Sequence, residues 1–379
     1  MKIEFTQPVL LDALAAASGS VSAKNTNSAI ECFLIQSIDD SHCQIAAYDS
    51  EKGLHTTIEC RVFEGGSYLL KADKLLSMVR LMSGIITIDV DSKKKATVSS
   101  FETKYELQTL EGSLFPSLPD TSVENGFAIK QKDLVSMIKA TLHAIGNNDP
   151  RPELNGLFFH FTRENSSLTL VSCDSNRLAI KSKVCEMENF TEEEYRFIIP
   201  GRSVNEIMKL LSDGDEKVTV KPLRKHIVFK IGEKYFFTKL IEKEYIDYTK
   251  FIPKSSKIKA TVDRDIFKAA LDRIIVVVED KDAGKSKPPV KCNFCGNSLE
   301  LSSKTTTSTG NESIKIDLEG GDLTIGFNAR FLVDALTAAD TDKVVLSLNT
   351  PLMAMTITPE GEDEGGTFTY LVLPTKLRD

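Results

Sequence analysis

Hydrophobic positions recur along this chain in three stretches that share one order of periods. An apolar strand running into a helix spans Phe5 through Pro8-Val9-Leu10-Leu11 and Leu14. The same pattern returns at Ile129 through Asp133-Leu134 and Met137-Ile138, and at Val262 through Asp265-Ile266-Phe267 and Leu271. Alternation with period two gives way to the 3.6-residue period at each place. A second helical stripe follows in each copy, around Leu75-Leu76-Val79, Val204-Ile207-Met208 and Phe331-Leu332-Ala335. Phe5, Ile129 and Val262 are spaced by 124 and 133 positions; Leu75, Val204 and Phe331 by 129 and 127. Two independent markers thus give nearly one period, which is too long for a solenoid unit and is the size of a whole domain.

Within each copy the pattern predicts strand, helix, several strands, a second helix and more strands. The helices are expected over 8–18, 70–82, 132–143, 201–211, 264–275 and 328–338. Paired strands are expected at Ile30–Ile35 with Gln44–Tyr48, across Asp39-Asp40-Ser41, and at Leu157–Phe161 with Leu168–Val171, across Arg163-Glu164-Asn165. Asp49 and Asp174 close the second strand of their copies; the third copy keeps Ser298-Leu299-Glu300-Leu301 but has Lys304 and a Ser/Thr run in place of the acid. Loop composition at Leu118–Ser122 and Ile252–Lys257 sets domains at 1–124, 125–254 and 255–379. Further surface loops are expected at Glu186–Glu194, Asp280–Pro289 and Glu360–Gly366. The run Ile274-Ile275-Val276-Val277-Val278 is too apolar for one buried stripe, so it is either a contact between subunits or a strand continuing from the helix.

Composition is that of a globular protein, with 41% hydrophobic and 27% charged residues. No apolar stretch is long enough to span a membrane, and the start, Met1-Lys2-Ile3-Glu4-Phe5, lacks the pattern of a signal peptide, so a cytoplasmic protein is expected. The seven cysteines are odd in number and scattered, which suits reduced buried thiols. The net charge of −7 argues against retention on nucleic acid by overall charge. Its distribution is uneven, however. The six expected helices hold 11 Lys/Arg against 7 Asp/Glu, a net of +4, which leaves −11 for the rest. Lys132 with Lys139, Arg202 with Lys209, Lys71 with Lys74, and Arg264 with Lys268 each share a helix face. Exposed helix faces are often Lys/Arg-rich, so spacing alone does not make these a binding surface.

Catalytic patterns are absent. No phosphate loop, nucleophile elbow, His-Glu-x-x-His or calcium loop occurs, and His42, His55, His143, His160 and His226 have no ligand or triad spacing. Cys292-Asn293-Phe294-Cys295 lacks a second pair for zinc and reads as a strand rather than a redox helix start. Neither a metal nor a cofactor is expected.

At Arg151-Pro152-Glu153-Leu154-Asn155-Gly156 and Cys173-Asp174-Ser175-Asn176-Arg177-Leu178-Ala179 the sequence resembles the bacterial sliding clamps, the beta subunits of DNA polymerase III. The resemblance continues through Ile199–Met208, Tyr245-Ile246-Asp247-Tyr248, Phe327-Asn328 and Tyr370–Leu377, in order and over essentially the whole chain. It implies an α+β fold of three tandem clamp domains, each two helices backed by antiparallel sheet. It further implies a homodimer joined head to tail, first domain to third, as a ring around double-stranded DNA. Such a ring binds without regard to sequence and serves as the processivity factor of the replicative polymerase. The basic helices would line the hole, where weak phosphate attraction permits sliding.

By this resemblance the DNA-facing residues are Lys24, Lys74, Arg80, Asn148, Arg151 and Arg202; the helix faces add Lys71, Lys139, Lys209 and Lys268. The dimer contact would join Val276 and Val277 to Tyr105 and Leu107 of the other chain. A pocket for short peptides of the polymerase alpha subunit, the clamp loader, other polymerases and repair proteins would comprise Leu154, Cys173, Ser175, Asn176, Arg177, Leu178, Ile246, Lys250, Phe251, Asn328, Phe331, Leu352, Ala354 and the tail Leu371, Val372, Leu373, Pro374, Thr375, Lys376 and Leu377. Three features depart from the family pattern: Ser175-Asn176 replaces Gly-His/Tyr, Ile246 replaces a proline, and Arg378-Asp379 extend the tail. The competing readings are an enzyme on a repeated scaffold and a repeat adaptor that forms no ring and binds proteins only.

Overall fold

The computed structural model describes residues 1–22, 27–121, 126–189, 192–278, 288–361 and 366–377. The first copy runs β1 (Lys2–Thr6), α1 (Gln7–Ser18), β2 (Cys32–Ser37), β3 (His42–Tyr48), β4 (Lys52–Glu59), β5 (Arg61–Glu64), β6 (Ser67–Lys71), α2 (Ala72–Leu81), β7 (Ile85–Val90), β8 (Lys95–Ser100), β9 (Thr103–Gln108) and β10 (Leu110–Glu111). The second runs β11 (Phe127–Lys130), α3 (Gln131–Thr141), β12 (Gly156–Thr162), β13 (Ser167–Cys173), β14 (Arg177–Val184), β15 (Glu194–Pro200), α4 (Gly201–Leu210), β16 (Lys217–Pro222), β17 (His226–Ile231) and β18 (Lys234–Lys239). The third runs β19 (Ile258–Asp263), α5 (Arg264–Val278), β20 (Val290–Cys295), β21 (Ser298–Lys304), β22 (Thr309–Lys315), β23 (Asp317–Glu319), β24 (Leu323–Phe327), α6 (Ala329–Ala338), β25 (Lys343–Leu348), β26 (Met355–Pro359) and β27 (Thr367–Val372).

Packing cuts the chain elsewhere than the repeat does. One compact unit is Met1–Lys132 with Met187–Thr191 and Arg202–Leu240; the other is Asp133–Glu186 with Glu192–Gly201 and Ile241–Asp379. The cause is sheet continuity. In the first unit β18, from the second copy, pairs antiparallel with β4 from the first, with Phe236 opposite Leu54 and Thr238 opposite Lys52. This makes a nine-stranded sheet, β10-β6-β2-β3-β4-β18-β17-β16-β11, beside a five-stranded sheet, β5-β1-β7-β8-β9. In the second unit β27 pairs with β14 in the same way, with Tyr370 opposite Ala179 and Val372 opposite Arg177. That sheet runs β15-β12-β13-β14-β27-β26-β25-β19-β23, and a four-stranded sheet runs β22-β21-β20-β24. Each of the four sheets ends on two edge strands; among them β9 in the first unit holds the place that β18 and β27 take in their copies, and β22 in the second holds that of β4 and β14.

The helices bury the stripes that the sequence indicated. In α1, Leu10, Ala13, Leu14 and Ala17 are buried; in α2, Ala72, Leu75, Leu76 and Val79. Helix α5 runs through the apolar run to Val278, so the run is helix and not strand. Ile274, Ile275 and Val278 are buried and Val276 is 75% exposed.

The turn after the second strand is built alike in all three copies. Asp49 Oδ1 accepts from the amides of Glu51 and Lys52, and Asp174 Oδ1 from those of Asn176 and Arg177. In the third copy Thr305 Oγ1 accepts from the amides of Thr307 and Ser308. The position matching the two aspartates is therefore Thr305 rather than Lys304, and its hydroxyl satisfies the same turn amides.

The expected loop segments 190–191, 280–287 and 362–365 lie outside the described residues, as do Ser122, Lys24, Arg378 and Asp379. Cys292 and Cys295 lie on β20, one buried and one exposed, on opposite faces of the strand. Burial pushes the Cys292 thiol up to about 12.

Candidate functional site

The expected pocket residues fall in the second unit. Strand β13 ends at Cys173, opposite Leu178 on β14, and Leu178 lies opposite Leu371 on β27. Around this ladder Val171, Leu178, Ile180 and Leu371 form a small apolar cluster, flanked by Phe158, Cys173, Tyr245, Tyr248, Ile252 and Ala354. Phe158 stacks on Tyr245 at 4.8 Å between ring centroids. Tyr245 holds its hydroxyl buried without a partner, and burial raises its pKa. Of these, Phe158, Val171, Ile180, Tyr245, Tyr248 and Ile252 escaped the sequence reading of the site, although Tyr245 and Tyr248 lie in a quoted motif and Phe158 on an alternating strand.

Exposed apolar side chains adjoin the cluster along the chain. Phe251 is 58% exposed beside Ile252, Leu352 86% beside Met353 and Ala354, and Leu373 42% beyond Leu371. Single exposed apolar residues are unremarkable, but several beside one half-buried cluster make a surface fit for an apolar ligand. Leu154 and Val372 are core: Leu154 is fully buried, and Val372 belongs to the large core of the third copy. Phe331 packs against that core beneath Arg177, whose guanidinium carbon lies 4.4 Å from the ring centroid. Arg177 also donates from Nε to Asp174 at 2.8 Å and from Nη1 to Asp334 at 2.6 Å.

The tail is docked through its backbone. Leu373 N donates to Asn176 O and Thr375 N to Gly326 O, both at 2.8 Å. A Cβ on Gly326 would meet Thr375 O at 2.6 Å and Leu377 Cδ2 at 2.8 Å, so glycine there admits the tail. Asn328 caps α6, accepting from Arg330 N at 3.0 Å. Lys250 pairs with Asp247 at 3.0 Å, and Ile246 is half-buried. Ser175 has φ +75, the left-handed region where glycine is favoured. Its hydroxyl donates to Asp149 Oδ2 at 3.0 Å and accepts from Arg151 Nη2, bonds that a glycine could not make.

Several of the basic residues expected to face DNA are neutralised locally. Lys71 pairs with Glu31 in a cavity of about 310 Å³ that includes Phe33 and Leu76. Arg151 pairs with Asp149 at 3.1 Å, which holds the Asp149 carboxyl down at about 2. Lys209 pairs with Glu206 at 2.9 Å and Lys268 with Asp272 at 2.8 Å. By contrast Lys74, Arg80 and Arg202 are exposed and make no side-chain ion pair among the described residues. Lys139 is exposed on α3, and Asn148 is exposed with φ +58. At the expected dimer contact Tyr105 and Leu107 are half-buried on the edge strand β9.

Among the described residues no three or more His, Cys, Asp or Glu side chains gather as a metal site. Ser41 and Asp39 both meet the same His42 nitrogen, Nδ1, in an exposed turn, so no proton relay links them.

Comparison with known proteins decides the family. The N-terminal domain of the DNA polymerase III beta subunit matches residues 1–119, its central domain 128–247 and its C-terminal domain 249–376. The chain belongs to the DNA polymerase III beta subunit family. It is similar to the beta sliding clamp of Staphylococcus aureus, 26% identical over 340 residues, covering 86% of this chain and 87% of that one. The beta sliding clamp of Staphylococcus epidermidis is likewise 26% identical over 339 residues, with the same coverage. Among solved structures, a putative DNA polymerase III beta subunit from Eubacterium rectale superposes with a TM-score of 0.91 at 27% identity, covering all of both chains. The DNA polymerase sliding clamp of Bacillus subtilis shares the fold, with a TM-score of 0.91 at 23% identity over both whole chains. As a member of the DNA polymerase III beta subunit family the chain is a DNA sliding clamp, a non-catalytic subunit with the three-domain clamp fold.

Proposed function

We propose that two copies of this clamp join head to tail into a ring that encircles duplex DNA without regard to sequence, keeps the replicative polymerase processive, and captures short partner peptides. The domains are 1–124, 125–254 and 255–379, the compartment is the cytoplasm, and Lys74, Arg80 and Arg202 supply most of the free positive charge toward DNA.

The observation that carries the ring is that two of the sheet edges, β22 and β9, hold the places that pair at the joints inside the chain. Two joints already use one rule: the third strand after a copy's first helix pairs with the third strand after the next copy's second helix, β4 with β18 and β14 with β27. The strands in these two roles that remain are β22 and β9, and an open edge is a template for another chain. Matched turns at Asp49, Asp174 and Thr305 set the register on one side. Matched rows Ile88-Val98-Tyr105, Val220-Phe229-Phe236 and Leu346-Ile357-Tyr370 set it on the other. The same rule puts the partner's Tyr105 opposite Gly310 and the partner's Leu107 opposite Ser308. A Cβ on Gly310 would lie 2.9 Å from Val277 Cγ2, so Val277 flanks the place where the Tyr105 ring would enter. One such seam at each end of a two-fold pair closes the ring.

Peptide capture rests on the exposed apolar residues around Leu178 and Leu371. Ser175, Asn176 and Ile246 bear on which partner peptides fit.

The test is retention on DNA. The clamp loaded on a nicked circular plasmid is expected to stay through a salt wash and to be lost once the plasmid is linearised. Equal loss from both forms, or a monomer mass by light scattering at micromolar protein, overturns the ring.

A further inference from the structure

Both joints within the chain place a cation at the first residue of the joining strand, and at the joint of the second and third copies it forms a latch across the joint. At the joint of the second and third copies, Arg177 is held by Asp174 of its own turn at 2.8 Å. It reaches Asp334 on α6 of the next copy at 2.6 Å. Arg177 and Asp174 are mostly buried. At the joint of the first and second copies, Lys52 stands at the same turn position and pairs with Asp49 at 2.8 Å, again mostly buried. Its ammonium also donates to the carbonyl of Gly19. Glu206 on α4 of the next copy closes on Gly19 so tightly that a Cβ there would lie 1.9 Å from Glu206 Oε2. Glu206 and Asp334 hold the same place in their helices, the sixth residue of α4 and of α6.

The corresponding positions at the open edges are uncharged. The turn acid is replaced by Thr305, the cation by Ser308 and the sixth residue of α2 by Ser77. Turn geometry is kept, since Thr305 N donates to Ser308 O at 2.8 Å as Asp49 N does to Lys52 O at 3.0 Å and Asp174 N to Arg177 O at 3.2 Å. Only the charge is missing.

We propose that the seam between protomers is the same joint with its latch removed, so that Ser308 faces the partner's Ser77 as hydroxyl to hydroxyl where the joint of the second and third copies sets Arg177 against Asp334. A charge-assisted pair held on both sides resists separation far more than two hydroxyls that water satisfies equally well. The seam is thus left free to open while the joint that Arg177 latches stays shut. This rests on the ring reading above.

The experiment installs the latch. Clamp carrying Thr305→Asp, Ser308→Arg and Ser77→Asp is compared with wild type in a subunit-exchange assay, with donor- and acceptor-labelled dimers mixed and energy transfer followed. Exchange is expected to slow about tenfold, and Ser308→Arg without Ser77→Asp is expected to give no slowing. A second set, Thr305→Asp, Ser308→Lys and Ser77→Asp, carries a smaller cation and serves if the arginine set misfolds. Exchange at the wild-type rate in a folded, dimeric variant overturns the latch, as does equal slowing by Ser308→Arg alone. A wild-type chain that is monomeric by mass instead fails the ring reading itself.

Discussion

Removing Asp340 should strand a buried charge at the joint of the second and third copies. Lys181, on β14, is fully buried, with its ammonium 2.6 Å from Asp340 Oδ2 and 5.6 Å from the centre of the Phe368 ring. Breaking a buried pair from one side costs about 3–5 kcal/mol. The Asp340 side chain is 37% exposed, so water can approach the vacated place and the cost falls to about 2–3 kcal/mol. The Phe368 face recovers about 0.5 kcal/mol of that. Lys181→Met keeps the apolar stem, removes the charge and leaves Asp340 to water, so it should cost under about 1 kcal/mol. Asp340→Ala combined with Lys181→Met should then resemble Lys181→Met alone. Urea unfolding at one fixed protein concentration reads all three, because association would otherwise shift the midpoint. A loss below about 1 kcal/mol in Asp340→Ala, or an equal loss in Lys181→Met, refutes the reasoning.

Burial, followed by the nearby Arg177 charge, pushes His143 down to about 3, and its Nδ1 is sealed from solvent without a partner although the residue as a whole is only half-buried. Between its ordinary value near 6.5 and about 3 only the unfolded chain takes up this proton. Stability should therefore fall as pH drops through that window, by about 2 kcal/mol at pH 5, and His143→Gln should lessen the loss in urea midpoints measured at pH 7 and 5. Charge reversal at Lys74, Arg80 or Arg202 should each lower the salt slope of DNA binding by about one, and reversal at Lys209 or Lys268 by less, since Glu206 and Asp272 already balance them; equal slopes across the set would count against the assignment. Ending the chain after Val372 should leave β27 and the dimer intact but abolish binding of a polymerase-tail peptide, read by calorimetry. Val277→Asp should give monomers in light scattering, by setting a carboxylate against Gly310 at the open edge.

The repeat was legible because burial writes its period into each helix: the expected 201–211 and 328–338 are observed as Gly201–Leu210 and Ala329–Ala338. Alternation fixes which face of a strand is buried but not which strand lies beside it. Hence the pairing of Phe236 with Leu54, far apart in the chain, was invisible, and with it the division into two packing units. Ion pairs were hidden for the same reason: helix-face spacing marks Lys71 as a cation, yet Glu31, which neutralises it, stands 40 residues away. The matching of Thr305 to Asp49 and Asp174 was missed because the reading sought an acid, whereas the turn requires only an oxygen at that position. The resemblance supplied most of the pocket residues, and the structure separates those that are core, such as Leu154, from those with apolar surface to offer, such as Phe251.

On the proposed ring, the three joints explain why a clamp built from copies would offer partner peptides one apolar pocket rather than three. The pocket needs Cys173 at the end of one strand, Leu178 after the latch residue and Leu371 opposite it. At the joint of the first and second copies those places hold Tyr48, Gly53 and Phe237. A Cβ on Gly53 would lie 2.2 Å from Phe237 Cζ, so the buried Phe237 ring fills the place that the Leu178 side chain takes in the other joint, and Tyr48 covers it at 5.5 Å between centroids. At the open edges the same places hold Lys304, Thr309 and Glu106, which are polar and exposed. Filling a site with the protein's own aromatic ring excludes a ligand as surely as lining it with charge, because either leaves no apolar surface to cover. One scaffold has thus been divided by side-chain choice alone: a sealed joint, a joint with apolar surface beside it, and a polar edge that the proposed ring gives to the partner.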